Sequence, residues 1–373
     1  SSSEEKLGRK NMDIVAKSKE FRKVLGKVYR GVASRPPYPA LSGIHLEVEN
    51  NSLKLTATDL EVGITSRCPV EVREEGSVVL PGKVLYNLVK SLSSPELEIV
   101  SLPDGNSEIR GGKSYYKLSG FPADDFPLFP LPSSITSFSV PGEKLKEGLM
   151  KVYFTASKDE SSLPLSGVLF HFEEEGKLRL VASDDHVLSL CSIEVQNGEV
   201  AQYILPLRAI TEIIRLAEGE TRIFPAKGFI LFQWEDISLF SRLIEGEYPD
   251  YKRVIPQNFV TQASLPGEEL RKALERVSLV ATPESPVVEL LLGGEKIELS
   301  SSGEVGIAKE EVEAEIEGEE IKIFFNARYL LDTLRSFSGE KAMLEISGEL
   351  APTRLRGEDE HLQYILMPVE IKE

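Results

Sequence analysis

Apolar residues along this chain follow two periods, and the two alternate in the same order three times. Phe21, Leu25 and Val28 stand at i, i+4 and i+7, which is one face of a helix. The stretch Phe21-Arg22-Lys23-Val24-Leu25-Gly26-Lys27-Val28 returns as Leu145-Lys146-Glu147-Gly148-Leu149-Met150-Lys151-Val152. It returns again as Leu270-Arg271-Lys272-Ala273-Leu274-Glu275-Arg276-Val277, each copy about 120 residues after the last. After each copy come strands that alternate with period two, such as Ser52–Thr58 and Lys177–Ser183, then a second helix and further strands. Six helices are predicted over 18–32, 82–92, 141–155, 206–217, 266–279 and 326–336. Pro81 and Pro206 suit the first turns of the second and fourth, and Asn326 suits an N-cap for the sixth. A long-period repeat of this kind means three copies of one domain.

The predicted fold is therefore α+β, three repeated domains over 12–136, 137–258 and 259–373. Each sets two helices on one side of antiparallel sheet. Residues 1–11 are polar and read as an extension, with Met12 as the natural start. Strands in such domains leave edges that invite aggregation unless paired. Pairing successive domains, and successive chains, would turn those edges into one continuous sheet.

Length and composition agree with this plan. A chain of 373 residues is too long for one core. No apolar run reaches the roughly 18–20 residues of a membrane helix. Cys68 and Cys191 fall in different repeats and make no disulfide framework, so the cytoplasm is the default location. A net charge of −17 argues at first against nucleic acid. Its distribution reverses the argument, because the six helical stretches carry +9 and the remainder −26. The plainer reading is that helix surfaces simply favour Lys and Arg.

Catalytic chemistry is hard to find. Arg110-Gly111-Gly112-Lys113-Ser114 lacks the first Gly of a phosphate loop and reads as a hairpin turn. His45, His171, His186 and His361 are scattered, without metal-ligand spacing. Asp124-Asp125 lies between prolines, where a turn is expected. Ser183-Asp184-Asp185-His186 follows a strand, and neighbours on one loop seldom face each other as a catalytic pair must.

Several segments, taken together, carry a resemblance. They are Thr56-Ala57-Thr58-Asp59-Leu60-Glu61-Val62-Gly63, Leu165-Ser166-Gly167-Val168-Leu169-Phe170, Val181-Ala182-Ser183-Asp184, Glu247-Tyr248-Pro249-Asp250-Tyr251-Lys252-Arg253-Val254-Ile255-Pro256 and Tyr364-Ile365-Leu366-Met367-Pro368. In this order and spacing, over about 12–371, the chain resembles the bacterial replicative sliding clamps, the β subunits of DNA polymerase III. The resemblance implies a head-to-tail homodimer whose six domains close into a ring, with helices lining the hole and sheets forming the wall. It implies sequence-independent binding of double-stranded DNA, no cofactor, no metal and no membrane. It also implies that the polymerase subunit, the clamp loader and repair proteins bind through short linear peptides.

By the same resemblance Arg35 matches a DNA-contacting position. Helix charge alone adds Lys19, Arg22, Lys23, Lys27, Lys90, Arg208 and Arg215, with a solvated surface cation as the plain reading of each. The dimer contact falls on Tyr116 and Leu118 against Leu279 and Val280, the last two equally readable as core. The implied peptide pocket comprises Leu165, Ser183, His186, Leu188, Pro249, Arg253, Val254, Leu350, Pro352, Met367, Pro368 and Val369. Its apolar walls, a flexible Met and a few polar groups suit that task. Asp185 stands where the family usually has Gly, Val187 and Glu370 where it usually has Arg, and Ile371-Lys372-Glu373 runs past the usual end. These changes make the pocket rim more acidic. Two rivals stay open: a cation-dependent hydrolase or phosphoesterase built on Asp184, Asp185 and His186, and a repeat scaffold that binds only proteins.

Overall fold

The computed structural model describes residues 11–129, 137–159, 161–196, 199–284, 286–337, 339–358 and 360–371. The reading of 1–11 as an extension therefore falls almost wholly outside the described residues. Met12 is fully buried, and its backbone N donates to Ser101 Oγ at 2.6 Å.

The six helices fall where the periodicity predicts: α1 Ser18–Val28, α2 Gly82–Ser91, α3 Gly142–Val152, α4 Leu207–Leu216, α5 Gly267–Val277 and α6 Ala327–Leu334. Four of them, α1, α3, α5 and α6, run on into a 3-10 turn, so their predicted ends correspond to a tightened last turn. Phe21, Leu25 and Val28 are fully buried, as the i, i+4, i+7 spacing requires. Asn326 Oδ1 accepts from Arg328 N at 3.0 Å, a side-chain cap on α6. The prolines are a correction. Pro81 and Pro206 are the last residues of strands Ser77–Pro81 and Ala201–Pro206, one residue before their helices. Opposite them lie Gly43 and Gly167, small residues that accept a ring at the end of a ladder.

The chain divides into two compact units, residues 1–143 with 211–243, and residues 144–210 with 244–373. In the first, a 12-stranded sheet runs from Ser114–Leu118 at one end, through Asp13–Lys17 and Val62–Glu74, to Ile237–Arg242, Phe229–Trp234, Glu220–Ala226 and Phe138–Pro141. The joint is antiparallel pairing of Val62–Glu74 with Ile237–Arg242, strands 163 or more residues apart in sequence, with Gly63 opposite Phe240. In the second unit a nine-stranded sheet is joined likewise, Val187–Glu194 pairing with Leu362–Leu366 so that Leu188 lies opposite Ile365. Edges of one repeat are thus closed by strands of the next, as the sequence predicts. A four-stranded sheet, Gly306–Glu313, Lys296–Gly303, Val287–Gly293 and Ile321–Asn326, completes the second unit.

Both cysteines are buried and unbridged. The Gly111–Ser114 reading as a hairpin turn holds: Gly111 pairs with Ser114, and Gly112 takes φ +59°. No helix among the described residues is long and apolar enough to cross a membrane.

His45 is buried in the first unit, stacked on Phe126 with ring centroids 5.3 Å apart. Burial, helped by Lys54, lowers its pKa to about 4. The folded chain then holds fewer protons than the unfolded chain between pH 4 and 6.5, so this group withdraws stability as pH falls through that window. We expect denaturant unfolding of the first unit to lose roughly 2 kcal/mol from this source between pH 7 and pH 5. A His45→Gln variant should show a shallower loss over the same interval. Parallel pH profiles for the two proteins would refute this assignment.

Candidate functional sites

Around Leu188 the second unit builds a cleft from four separate segments. Strand Lys177–Ser183 ends in a tight turn, Ser183-Asp184-Asp185-His186, before strand Val187–Glu194. Asp184 Oδ1 accepts from the backbone N of His186 and of Val187, both at 3.0 Å, and Ser183 Oγ donates to Val187 O at 3.0 Å. Asp185 sits at φ +74°, a conformation that glycine adopts freely and other residues adopt at a cost. That explains why a Gly is usual here, and Asp is among the few substitutes that tolerate it. His186 stacks on Tyr329 of α6, centroids 5.8 Å apart. Burial and a hydrogen bond to Asp184 push the Tyr329 phenol up to about 12.

Opposite the turn, Met367 N donates to His186 O at 2.9 Å, which fixes the strand end from the third repeat against the second. The third wall is the Tyr248-Pro249-Asp250-Tyr251 segment and the 3-10 turn Tyr251–Val254. Tyr251 is buried with its hydroxyl 2.6 Å from His171 Nδ1, so it anchors the wall. The cleft is lined by Leu165, Ser183, Asp185, His186, Leu188, Tyr248, Pro249, Asp250, Tyr251, Val254, Ile365 and Met367. Its volume, about 130 Å³, is below the roughly 300–1,000 Å³ of small-molecule sites. It can hold the anchor side chains of a segment laid across it. The Tyr248 hydroxyl is buried with no hydrogen-bond partner among the described residues, a donor left for whatever occupies the cleft.

Seven of the residues expected here from sequence, Leu165, Ser183, His186, Leu188, Pro249, Val254 and Met367, meet in this cleft. Leu188 is floor and core at once, being almost fully buried, whereas Val254 is exposed. The others lie apart from the lining. Arg253 pairs with Asp250 at 2.8 Å in solvent, Leu350 is exposed in a turn, and Val369 N donates to Phe324 O at 2.8 Å. Pro352 and Pro368 also fall outside the lining. Tyr248, Asp250, Tyr251 and Ile365 were missed, though the first three lie in the quoted Tyr-Pro-Asp-Tyr motif. Ile365 shares the strand face opposite Leu188, a register that no sequence pattern announces. A catalytic reading of this turn fails on geometry. The Asp184 carboxylate is taken by backbone donors and the Ser183 hydroxyl by a carbonyl, so nothing is set to activate a nucleophile. No cluster of metal-ligating side chains occurs among the described residues.

The cationic candidates divide by what they touch. Lys19 and Lys23 on α1, Lys90 on α2, Arg215 on α4 and Arg35 are exposed; Lys27 and Arg208 are half-buried. Lys90 lies 5.9 Å from the Tyr86 ring, which stacks on Tyr29 at 4.5 Å. Arg215 is 3.4 Å from the buried Glu212, which also takes Arg30 at 2.9 Å. Arg22 turns inward instead. Its guanidinium donates to the carbonyls of Val89 and Leu92 at 3.2 and 2.7 Å and so caps the C-terminus of α2.

In the first unit, strand Ser114–Leu118 ends the sheet, unpaired on its outer side among the described residues, with Tyr115 and Tyr116 exposed and Leu118 half-buried. In the second unit, strand Gly306–Glu313 is likewise an outer strand. Ile307 on this strand is 73% exposed, and Val305 and Leu279 are 81% and 79% exposed, so Leu279 is surface and not core; Val280 is half-buried. Tyr115, Val305 and Ile307 were not foreseen.

Comparison with known proteins identifies the family. The chain matches the family models for the DNA polymerase III beta subunit, its N-terminal domain over residues 12–130, its central domain over 139–250 and its C-terminal domain over 252–370. It is 30% identical over 374 residues to a beta sliding clamp of Staphylococcus epidermidis, covering 96% of this chain and 99% of that one. The DNA polymerase sliding clamp from Bacillus subtilis superposes with a TM-score of 0.93 at 28% identity, covering 97% of this chain and all (100%) of that one. A sliding clamp from Pseudomonas aeruginosa, solved bound to griselimycin, gives 0.91 at 28% identity, with coverage of 97% and 100%.

The two kinds of cation separate by experiment. Arg22→Ala should cost about 1–3 kcal/mol in chemical unfolding, because it strands helix-end carbonyls. Lys23→Ala should stay within about 0.5 kcal/mol. Equal effects would show that Arg22 is no more structural than its neighbour.

Proposed function

We propose, from the premise that this chain belongs to the DNA polymerase III beta-subunit family and is a DNA sliding clamp, that two copies join head to tail into a ring around duplex DNA. The observation that carries this reading is that, of the several strands that end a sheet, Ser114–Leu118 in the first unit and Gly306–Glu313 in the second carry or adjoin large exposed apolar side chains. Ser114–Leu118 offers exposed tyrosines with Lys113 and Lys117, and Gly306–Glu313 offers exposed Ile307 with Lys309 and three glutamates, of which Glu310 pairs with Arg276 and Glu311 with Lys296. Unlike surfaces that meet head to tail make a closed assembly when the rotation fits. Tyr116 and Leu118 of one copy then face Leu279 and Val280 of the other, with Tyr115, Val305 and Ile307 enlarging the contact.

Lys19, Lys23, Lys27, Lys90, Arg35, Arg208 and Arg215 supply loose, sequence-independent phosphate contacts. The ring does no catalysis; it is a cytoplasmic processivity factor held on DNA by topology. The cleft at Leu188 receives short peptides of the polymerase, the loader and repair proteins, an apolar or aromatic side chain entering beside Val254 and Met367. Each buried anchor contributes roughly 1.5–3 kcal/mol, and a few of them reach the about −8 kcal/mol of a micromolar, exchangeable complex. With Val187 and Glu370 at positions where cations are usual, a basic flank on the peptide is favoured.

Ordinary phosphate binding falls by about 0.9 log units per neutralised phosphate per decade of salt. A ring loaded on nicked circular DNA should stay bound at salt that strips such binders, and linearising the DNA should release it. Equal salt-dependent loss from both DNA forms contradicts the ring. Deleting Met367 to Glu373 should abolish binding of a short Gln-led, apolar-aromatic peptide and leave retention on circles unchanged. Undiminished peptide affinity would place the site elsewhere.

A further inference from the structure

The cleft at Leu188 has a counterpart in the first unit, built bond for bond on the same plan. There Asp59 Oδ1 accepts from the backbone N of Glu61 and Val62 at 3.0 and 2.7 Å, and Thr58 Oγ1 donates to Val62 O at 2.9 Å. Leu60 holds φ +75° where Asp185 holds +74°. Arg242 N donates to Glu61 O at 2.8 Å, as Met367 N does to His186 O at 2.9 Å. Leu41-Ser42-Gly43 stands for Leu165-Ser166-Gly167, and in both the serine hydroxyl donates 2.7 Å to the carbonyl three residues back. Gly63 opposite Phe240 stands for Leu188 opposite Ile365.

One position differs in kind. A Cβ on Gly63 would lie 1.9 Å from Phe129 Cζ, so the tip of the Phe129 ring rests on strand backbone where only glycine leaves room. The ring stacks on Phe240, centroids 5.1 Å apart and planes at 7°, and Phe240 leans on Phe229 at 5.2 Å. The residue before it, Leu128, is 79% exposed, so the chain reaches in from the surface to seat one aromatic side chain.

We propose that the first-unit turn forms a second peptide groove of the same design, held shut by the chain's own Phe129. With that ring withdrawn it takes a short segment bearing an aromatic anchor. The inference rests on the reading of the Leu188 cleft as a peptide site. A tethered competitor works at roughly millimolar effective concentration, so one whose own affinity is about micromolar holds off a free peptide by about a thousandfold. The intact chain therefore presents one open groove.

The test uses the full-length chain and a fluorescent decapeptide ending in Leu-Phe, titrated by anisotropy and calorimetry. Val254→Glu with Met367→Glu disables the Leu188 cleft. In that background the chain with Phe129 intact should bind at least 100-fold more weakly than the unmodified protein. Adding Phe129→Ala should restore binding at one peptide per chain, and Phe129→Ala alone should raise the stoichiometry from one to two. No gain in a folded Phe129→Ala chain overturns the proposal. If that variant unfolds, Phe129→Leu, which gives up the ring stack but stays apolar, is read the same way, and absence of partial gain overturns it equally. Should the disabling pair leave binding untouched, the reading of the Leu188 cleft fails instead, and the two failures are told apart.

Discussion

Every repeat of this chain ends its sheet on a strand that cannot be left bare, and the fold follows from how those edges are closed. Val62–Glu74 takes Ile237–Arg242 from the next repeat, and Val187–Glu194 takes Leu362–Leu366. Each pairing satisfies a row of backbone donors and acceptors that would otherwise face solvent. It also sets a turn carbonyl, that of Glu61 or His186, to receive an amide at the end of the incoming strand, that of Arg242 or Met367. A groove between that turn and that strand is a by-product of the joint. The site proposed to capture peptides therefore belongs to the seam between two repeats and to neither repeat alone. This is why changes within one repeat, such as Asp185, can alter the rim without erasing the groove.

The same constraint bears on assembly. Two internal edges are closed within the chain, whereas several strands end their sheets among the described residues, Ser114–Leu118 and Gly306–Glu313 among them. These two carry large exposed apolar side chains, which an isolated monomer would present as an aggregation hazard. On the proposed reading, the acidic remainder of the chain repels polyanions and leaves the basic helices as the surface for DNA.

Much of this was legible in the sequence because the repeat fixes the period of each element. The helix faces at Phe21, Leu25 and Val28, the Asn326 cap and the hairpin at Gly111–Ser114 are all local signals, and all hold. What failed depends on partners distant in the chain. Arg22 counts as one more helix cation until the α2 carbonyls 67 and 70 residues away are seen to hold it. Ile365 and Tyr248 enter the cleft through strand register and wall packing. Phe129 reads as loop until Gly63 is found beneath it. Placement of Pro81 and Pro206 at strand ends is a one-residue boundary shift, within the ordinary ambiguity of helix starts.

On the proposed reading, Ser114–Leu118 and Gly306–Glu313 are closed by a second copy of the chain. Light-scattering mass across a dilution series at moderate salt tests it most directly. A ring of two copies should appear as a particle of twice the 41.4 kDa chain mass, persisting at micromolar concentration and split by Tyr116→Glu or Leu279→Glu. A folded species that stays at 41.4 kDa throughout would contradict it.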